Sequence, residues 1–353
     1  MKKIVFFANN LNIGGMEKSL VSLLNELVNS YEVYLILEDK SGPLLDELNK
    51  KIIVTEYTLF NYNSTIIRRG ANYLKRLIWT IKNYNKYDFS CNYATYSRLG
   101  SKLALKASKN NALYVHSNYP DVYKNHEKLR EFYKYIELFK FKRIIFVSNE
   151  SCEKSVKAFP EIKEKSTVIN NLLAIKDTKF KQKNTSNNNI ILFLGRLDDS
   201  SKNLTILIDA VNRAKKDKLN IKVWIVGDGP DKQKYVDYVD LLKLNDYIKF
   251  YKSTSNPYNY INECNSIILT SKFEGFPVVY MEALYFKKNI ITTIPTSEKY
   301  LDIKDYAIVC DQTSESIFEG IKKSINYKKE NKINFVEINK RKIRDLSTLI
   351  EDE

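Results

Sequence analysis

The sequence predicts an α/β protein built from two doubly wound halves. Three observations carry that prediction. The chain has 353 residues, room for two domains of ordinary size. Short apolar runs alternate with amphipathic helical stretches, once over 1–172 and again over 190–330. Between the two lies a linker, 173–189, whose stretch Lys176–Asn189 (KDTKFKQKNTSNNN) is polar and basic with no apolar period. A helical segment, 331–353, closes the chain.

The first half opens on a buried strand, Ile4–Ala8. A turn over Asn9–Gly15 leads to an amphipathic helix, Glu17–Asn29. The Gly14-Gly15 pair permits close backbone approach at the strand's carboxyl end, where doubly wound sheets bind ligands. It falls short of a full dinucleotide fingerprint, and a glycine turn can serve chain reversal alone. Further strands are expected at Tyr31–Leu37 and Ile52–Tyr57. Over 65–84 the apolar residues Ile66, Ile67, Leu74, Leu77, Ile78 and Ile81 recur at helical spacing among Arg68, Arg69, Lys75, Arg76 and Lys82. This predicts a basic amphipathic helix, with Trp79 near its apolar side and a break or bend near Gly70. Residues 128–143 (KLREFYKYIELFKFKR) predict a second. Each reads either as a membrane-surface helix or as a covering helix with solvated lysines. Ala112–His116 is a short strand ending in histidine, again at a carboxyl end. A lone histidine is commonly a satisfied polar residue, and His126 is assigned that role. Ile144–Ser148, a helix from Asn149, and the strand Thr167–Asn171 complete the half.

The second half opens on Ile190–Leu194, followed by Gly195-Arg196-Leu197, an Asp/Ser turn, Lys202 and a helix Leu204–Lys215. Arg196 as a bidentate fork and Lys202 as a point charge suit a diphosphate. Lys222–Val226 closes on the turn Gly227-Asp228-Gly229-Pro230. Ile248–Tyr251 is a short strand, Tyr258–Glu263 a helix, and Ser266–Thr270 a buried strand. Asn289–Thr293 and Ala307–Cys310 are the last strands, with a helix Ser314–Asn326 behind them.

The stretch Ser271–Leu284 (SKFEGFPVVYMEAL) follows one of these strands. Pro277 fits the first turn of a helix, where its missing N–H costs nothing. The free amides of Gly275, Phe276, Val278 and Val279 then form an anion site. Glu274 lies in the loop and Glu282 inside the helix, and one carboxylate can accept both O–H groups of a vicinal diol. A ligand with phosphate in the middle and diols at both ends is a nucleotide-sugar. Without that context, the stretch is a buried strand and a surface helix with two solvated glutamates.

The E-x7-E spacing within EGFP…EAL closely resembles the retaining glycosyltransferases of family 4. The Gly195-Arg196…Lys202 segment, the Gly227-Asp228-Gly229-Pro230 turn and the N-terminal Gly14-Gly15-Met16-Glu17 loop match further family motifs. Asn203 departs from them, standing where glycine is usual, and Lys252 replaces a frequent glycine. The resemblance implies the GT-B fold: α/β, two Rossmann-like doubly wound domains facing a central cleft. It implies an acceptor-binding domain over 1–172, a nucleotide-sugar domain over 190–330, and a last helix crossing back to the first domain. It implies a metal-independent hexosyl transfer from a UDP-sugar with retention. The catalytic set is then Glu274, His116, Arg196 and Lys202. Donor-binding residues are Gly14, Gly15, Gly195, Arg196, Lys202, Gly227, Tyr251, Glu274, Gly275, Phe276, Pro277, Val278 and Glu282. Glu274 would hold sugar hydroxyls and Glu282 the ribose diol. No cofactor is expected, since the nucleotide-sugar is a substrate. A nucleotide-sugar 2-epimerase and a non-catalytic GT-B scaffold subunit are the rival readings.

Composition bounds the partners. The four cysteines are scattered with no C-x-x-C pair, and no Asp-x-Asp or metal-spaced cluster occurs. The N-terminal apolar run is too short for a signal peptide, and none approaches the roughly 20 residues of a membrane span. Formal net charge is +15, and residues 51–150 alone carry 18 basic against 7 acidic side chains. That excess points to an anionic partner. The expectation is a cytoplasmic enzyme, peripheral at the inner face of the membrane. It would hold an anionic lipid surface through 65–84 and 128–143 and act on a lipid-linked or polymeric glycan acceptor. The third rival, a nucleic-acid binder, lacks any recognisable motif.

Overall fold

The computed structural model describes residues 1–173, 189–254, 256–298, 301–327 and 332–352. Most of the predicted linker lies outside them. The chain divides into two compact units, Met1–Ala174 with Glu337–Glu353, and Ile175–Val336.

In the first unit the order is β1 (Lys3–Ala8), α1 (Gly15–Leu27), β2 (Glu32–Leu37), β3 (Ile53–Glu56), α2 (Thr65–Asn83) and β4 (Phe89–Asn92). Then follow α3 (Arg98–Ala107), β5 (Asn111–Val115), α4 (Tyr119–Tyr123), α5 (His126–Tyr135), β6 (Arg143–Phe146), α6 (Asn149–Ala158) and β7 (Ser166–Val168). The strands form one sheet in the order β3-β2-β1-β4-β5-β6-β7, and every pairing is parallel. Strands buried on both faces need near-continuous apolar sequence, and Lys3–Ala8 and Asn111–Val115 supply it. Side-chain caps mark the starts of α3 and α5: Ser97 accepts from the Gly100 amide at 2.8 Å, and Asn125 from that of Lys128 at 2.9 Å.

The second unit runs β8 (Asn189–Leu194), α7 (Leu204–Lys216), β9 (Ile221–Val226), α8 (Lys232–Leu241), β10 (Ile248–Tyr251), α9 (Tyr258–Glu263) and β11 (Ser266–Leu269). It continues with α10 (Val278–Tyr285), β12 (Asn289–Thr292), a small pair β13 (Ser297–Glu298) and β14 (Leu301–Asp302), β15 (Ala307–Val309) and α11 (Ser314–Asn326). Its sheet is parallel throughout, ordered β10-β9-β8-β11-β12-β15. The last helix, α12 (Phe335–Glu351), belongs to the first unit from Glu337 onward. There Asn110 donates to the carbonyls of Leu349 and Asp352 at 3.0 Å each, and Arg143 reaches Asp352 at 2.7 Å.

Three sequence expectations change. The helix over 65–84 runs unbroken through Gly70. One exposed glycine costs a helix only about 1 kcal/mol against alanine, too little to interrupt it. Residues 128–143 are not one basic helix. α5 ends at Tyr135, Glu137 takes a left-handed backbone at φ 60, and β6 begins at Arg143. Leu129, Tyr133, Ile136, Leu138 and Phe141 from that stretch are core residues, so its apolar side is already covered. Lastly, strand β4 was not expected, because FSCN is four residues long and half polar.

α2 is the opposite case. Asn72 is its one buried residue, bonded to both the amide and the carbonyl of Phe60 at 2.7 and 2.9 Å. Trp79 packs edge-on against Phe7 and Tyr57. The predicted apolar stripe faces outward, with Ile66 84% and Ile81 70% exposed.

Candidate active site

In an open parallel sheet, ligands collect where the strand order reverses, outside the carboxyl ends of the strands. In the second unit that point lies between β8 and β11. The two loops leaving those strands are the two that the sequence singled out, 195–203 and 270–277.

Backbone and side chains lace these loops together. Lys272 donates its amide to the Ser201 carbonyl at 2.8 Å, and Thr270 its hydroxyl to the Lys202 carbonyl at 2.9 Å. Lys202 and Glu274 form an ion pair, their side chains 20% and 13% exposed. Glu274 also accepts from the Ser271 hydroxyl at 2.6 Å. The Lys202 stem crosses Gly195, 3.9 Å from where a Cβ would stand there. Arg196 is solvent-exposed on the same loop. The loop therefore presents two cations at the end of β8, with one carboxylate between them and the helix that follows β11.

Asn203 occupies the residue before α7 with φ 51 and ψ 47. This left-handed conformation is why glycine suits the position, and asparagine is the side chain that tolerates it best. The departure from the family pattern preserves the backbone. The Gly227-Asp228-Gly229-Pro230 turn serves close approach. A Cβ on Gly227 would lie 1.9 Å from the Gly195 carbonyl oxygen, and one on Gly229 2.3 Å from that of Leu197. The Leu197 amide bonds Asp228 at 2.9 Å across this contact. Tyr251 reaches the same place through its backbone, its carbonyl accepting from Gly227 at 3.2 Å. Its ring packs with Trp224 and Tyr260.

Pro277 is the residue before α10, with ψ 117, rather than part of its first turn. Its fixed φ of −65 serves either place, so sequence could not separate them. No side-chain hydrogen bond caps the start of α10, where the amides of Val278 and Val279 lie in the first turn. Gly275 and Phe276 are buried in the turn, and Glu282 is buried within the helix. Sequence reasoning missed the groups that hold the 271–272 turn from behind. Thr293 donates to the Ser271 carbonyl at 2.8 Å, and Gln312 to the same oxygen at 3.1 Å. Both lie far along the chain, in no motif of their own.

In the first unit the strand order reverses between β1 and β4. Gly14 and Gly15 follow β1, with Gly15 opening α1. The Glu17 carboxylate fills the space a Gly14 Cβ would need, at 2.1 Å. Burial holds that carboxyl above its ordinary range, partly offset by the Glu17 backbone amide. His116 is the first residue past β5. Its ring stacks on Tyr114 at 5.4 Å and tilts against Tyr93 at 4.4 Å. Both ring nitrogens are buried without an ordinary hydrogen bond. Burial pushes its pKa down to about 3, while the Tyr93 backbone and the Asn171 side chain pull the other way. His116 is thus a neutral imidazole at neutral pH.

Among the described residues, no group of three His, Cys, Asp or Glu side chains is placed to hold a metal ion, and no helix is long and apolar enough to cross a membrane.

Two parallel doubly wound sheets, with cationic and glycine loops at the switch points, define the GT-B class of glycosyltransferases. Solved structures share the fold. Anabaena HepE in complex with UDP and glucose aligns over 99% of this chain and 100% of its own, with TM-score 0.75 and 18% identity. Staphylococcus aureus TarM aligns over 99% and 98%, with TM-score 0.75 and 12% identity. Residues 13–174 match the family model described as Glycosyltransferase Family 4, and residues 174–341 the one described as Glycosyl transferases group 1. The chain belongs to the family 4 glycosyltransferases. Among curated relatives is the Campylobacter jejuni GalNAc-alpha-(1->4)-GalNAc-alpha-(1->3)-diNAcBac-PP-undecaprenol alpha-1,4-N-acetyl-D-galactosaminyltransferase, 25% identical over 81% of this chain and 78% of its own length. Another is the Staphylococcus aureus capsular polysaccharide biosynthesis glycosyltransferase CapH, 24% identical over 93% and 92%.

Proposed function

We propose that this glycosyltransferase moves a hexosyl group from a UDP-sugar to a lipid-linked or polymeric glycan, in bacterial cell-surface polysaccharide assembly. Anomeric configuration is retained and no divalent ion takes part. The observation that carries the reading is the Lys202–Glu274 pair at the β8/β11 switch point, with Arg196 on the same loop. Breaking the C1–O bond builds charge on the leaving diphosphate, and fixed cations stabilise that charge as it develops. Arg196 and Lys202 are the cations, assisted by the amides at the start of α10. Glu274 accepts hydrogen bonds from sugar hydroxyls and keeps the Lys202 ammonium in register. Glu282 holds the ribose diol. The neutral His116 bonds the donor sugar as donor or acceptor without adding charge. The acceptor hydroxyl attacks the face the diphosphate leaves, and the diphosphate oxygen takes its proton.

The outward apolar stripe of α2, flanked by Arg68, Arg69, Arg76 and Lys82, supports attachment to an anionic bilayer surface at the cytoplasmic face. An enzyme with a lipid-linked acceptor works where that acceptor lies. The relatives named above support a glycan acceptor of this class.

The deciding experiment is a transfer assay with a panel of nucleotide-sugars and polyprenyl-diphosphate sugars, with and without EDTA. An α-linked product from an α-linked donor, formed equally in EDTA, is expected. Epimerised donor without any acceptor product would overturn the reading. In the same preparation Glu282→Ala should weaken UDP binding, and unchanged affinity would remove its ribose role.

A further inference from the structure

We propose that Asp199 is a positioning residue for Lys202, closing the base of the loop that carries it. The inference rests on the reading above for what Lys202 does in transfer. How the lysine is held stands on hydrogen-bond geometry alone.

The loop 195–203 ends on Asn203, whose side chain makes no cap bond at the start of α7. Asp199 supplies an acceptor there from upstream. Its Oδ1 accepts from the Thr205 amide at 3.4 Å and from the Thr205 hydroxyl at 3.0 Å. The same oxygen accepts from the Tyr235 hydroxyl on α8 at 3.0 Å, and Oδ2 from Lys234 at 3.0 Å. The Asp199 backbone is tied as well. Its amide donates to the Asp231 carboxylate at 2.8 Å, and its carbonyl accepts from the Lys272 ammonium at 2.9 Å. One residue thus joins α7, α8 and the 270–277 loop. A carboxylate only 21% exposed needs such partners, whereas the Lys234 side chain is 55% exposed and its ion pair adds little.

The bonds to Thr205 close a loop over 199–205, and Lys202 stands at its centre. The Lys202 amide donates to the Asp198 carbonyl at 2.7 Å, directly beside Asp199, and the Lys202 carbonyl accepts from Thr270 at 2.9 Å. Lys272 bonds the loop twice, at Ser201 through its amide and at Asp199 through its ammonium. While the base is closed, the Lys202 side chain leaves a fixed backbone, runs over Gly195 and meets Glu274. Losing the Asp199 carboxylate opens the base on the α7 side and lets that backbone shift. A fixed cation stabilises developing charge without reorganising, and a shifting one loses that advantage.

Asp199→Ala should lower turnover about tenfold, the size of one hydrogen bond to a charged group, with donor KM within about threefold. Asp199→Asn keeps Oδ1 for Thr205 and Tyr235 and should return turnover to within about threefold of wild type. Lys202→Ala and the double variant Asp199→Ala with Lys202→Ala should turn over alike, because the aspartate acts through the lysine. Hydrogen–deuterium exchange on the free protein needs no substrate. Amides of 200–205 and 271–274 should exchange about fivefold faster in Asp199→Ala, recover in Asp199→Asn, and leave β8 and β9 unchanged. Unchanged exchange in those loops would overturn the proposal. So would losses that multiply in the double variant, or faster exchange with wild-type turnover. Thr205→Val removes the hydroxyl bond from the opposite side and decides the matter should Asp199→Ala not fold. Its loop amides should also exchange faster, and no change there defeats the proposal. If the wild type transfers no sugar, the transferase reading fails, and the exchange measurement by itself decides whether Asp199 holds Lys202.

Discussion

Lys202 and Glu274 pair across two loops that leave neighbouring strands, 72 residues apart in sequence. Neither charge is free in water, and Ser271 shares the carboxylate. Lys202→Ala therefore removes a cation from the proposed diphosphate position and leaves a largely buried carboxylate without its ion-pair partner. Loss of about 2.7–4 kcal/mol of transition-state stabilisation is expected, as for one oxyanion donor. Arg196→Ala should cost a similar amount. Steady-state kinetics on folded protein checks both, and turnover near wild type would refute the charge roles.

The backbone around that pair makes a second prediction. Gly227→Ala places a Cβ against the Gly195 carbonyl, where no flexible side chain can yield. It should destabilise by about 1–3 kcal/mol or more, as other overpacking changes do. Asn203→Gly keeps the left-handed residue and should be nearly silent. Asn203→Val should cost about 1–2 kcal/mol. Gly70→Ala is the control: nothing lies within 4 Å, and α2 should gain about 0.5–1 kcal/mol. Urea midpoints rank the four, and a Gly227→Ala midpoint at or above wild type would discard the close-approach argument.

The strands of the second unit were legible because buried parallel strands are written as unbroken apolar runs. Ile248–Tyr251, Tyr258–Glu263 and Ser314–Asn326 fall where periodicity and turn residues put them. The loop residues of the candidate site were legible for a different reason. Lys202, Glu274 and the glycines are polar or small residues placed directly after apolar strands. What escaped is what sequence distance hides. β4 is recognisable only by its pairing with β1 and β5, since Ser90 and Asn92 are buried polar residues bonded inside the unit. Thr293 and Gln312 act on backbone far from them in sequence, and their local patterns say nothing of it. The two basic stretches looked alike in sequence, yet tertiary packing covers the apolar side of 128–143 and leaves that of α2 outward.

That difference is testable at a membrane. Binding to anionic vesicles should need α2, weaken as salt rises, and vanish on neutral vesicles. Ile66→Asp with Ile81→Asp should abolish it without unfolding the protein, because both residues already face water. Lys128→Glu with Lys134→Glu should have a smaller effect. Sedimentation with vesicles measures each, and no binding of the wild type at low salt would return α2 to an ordinary surface helix.

His116 ties the site to acid stability. Burial lowers its folded pKa to about 3, against 6.5 for an ordinary imidazole. Above about pH 6.5 the ring is neutral in both folded and unfolded chains, and the stability it permits is fully present. As pH falls below 6.5 the unfolded chain takes up a proton that the folded chain refuses until about pH 3. Stability therefore declines across that window, by up to about 1.4 kcal/mol per pH unit. The carboxylates begin to add their own losses only toward the lower end. His116→Phe keeps an aromatic ring between Tyr93 and Tyr114 and removes the titration. Its urea midpoint should fall less than that of wild type between pH 7 and pH 4.5. Parallel declines in the two proteins would show that the folded chain admits the proton, and that His116 is less enclosed than its two buried nitrogens imply.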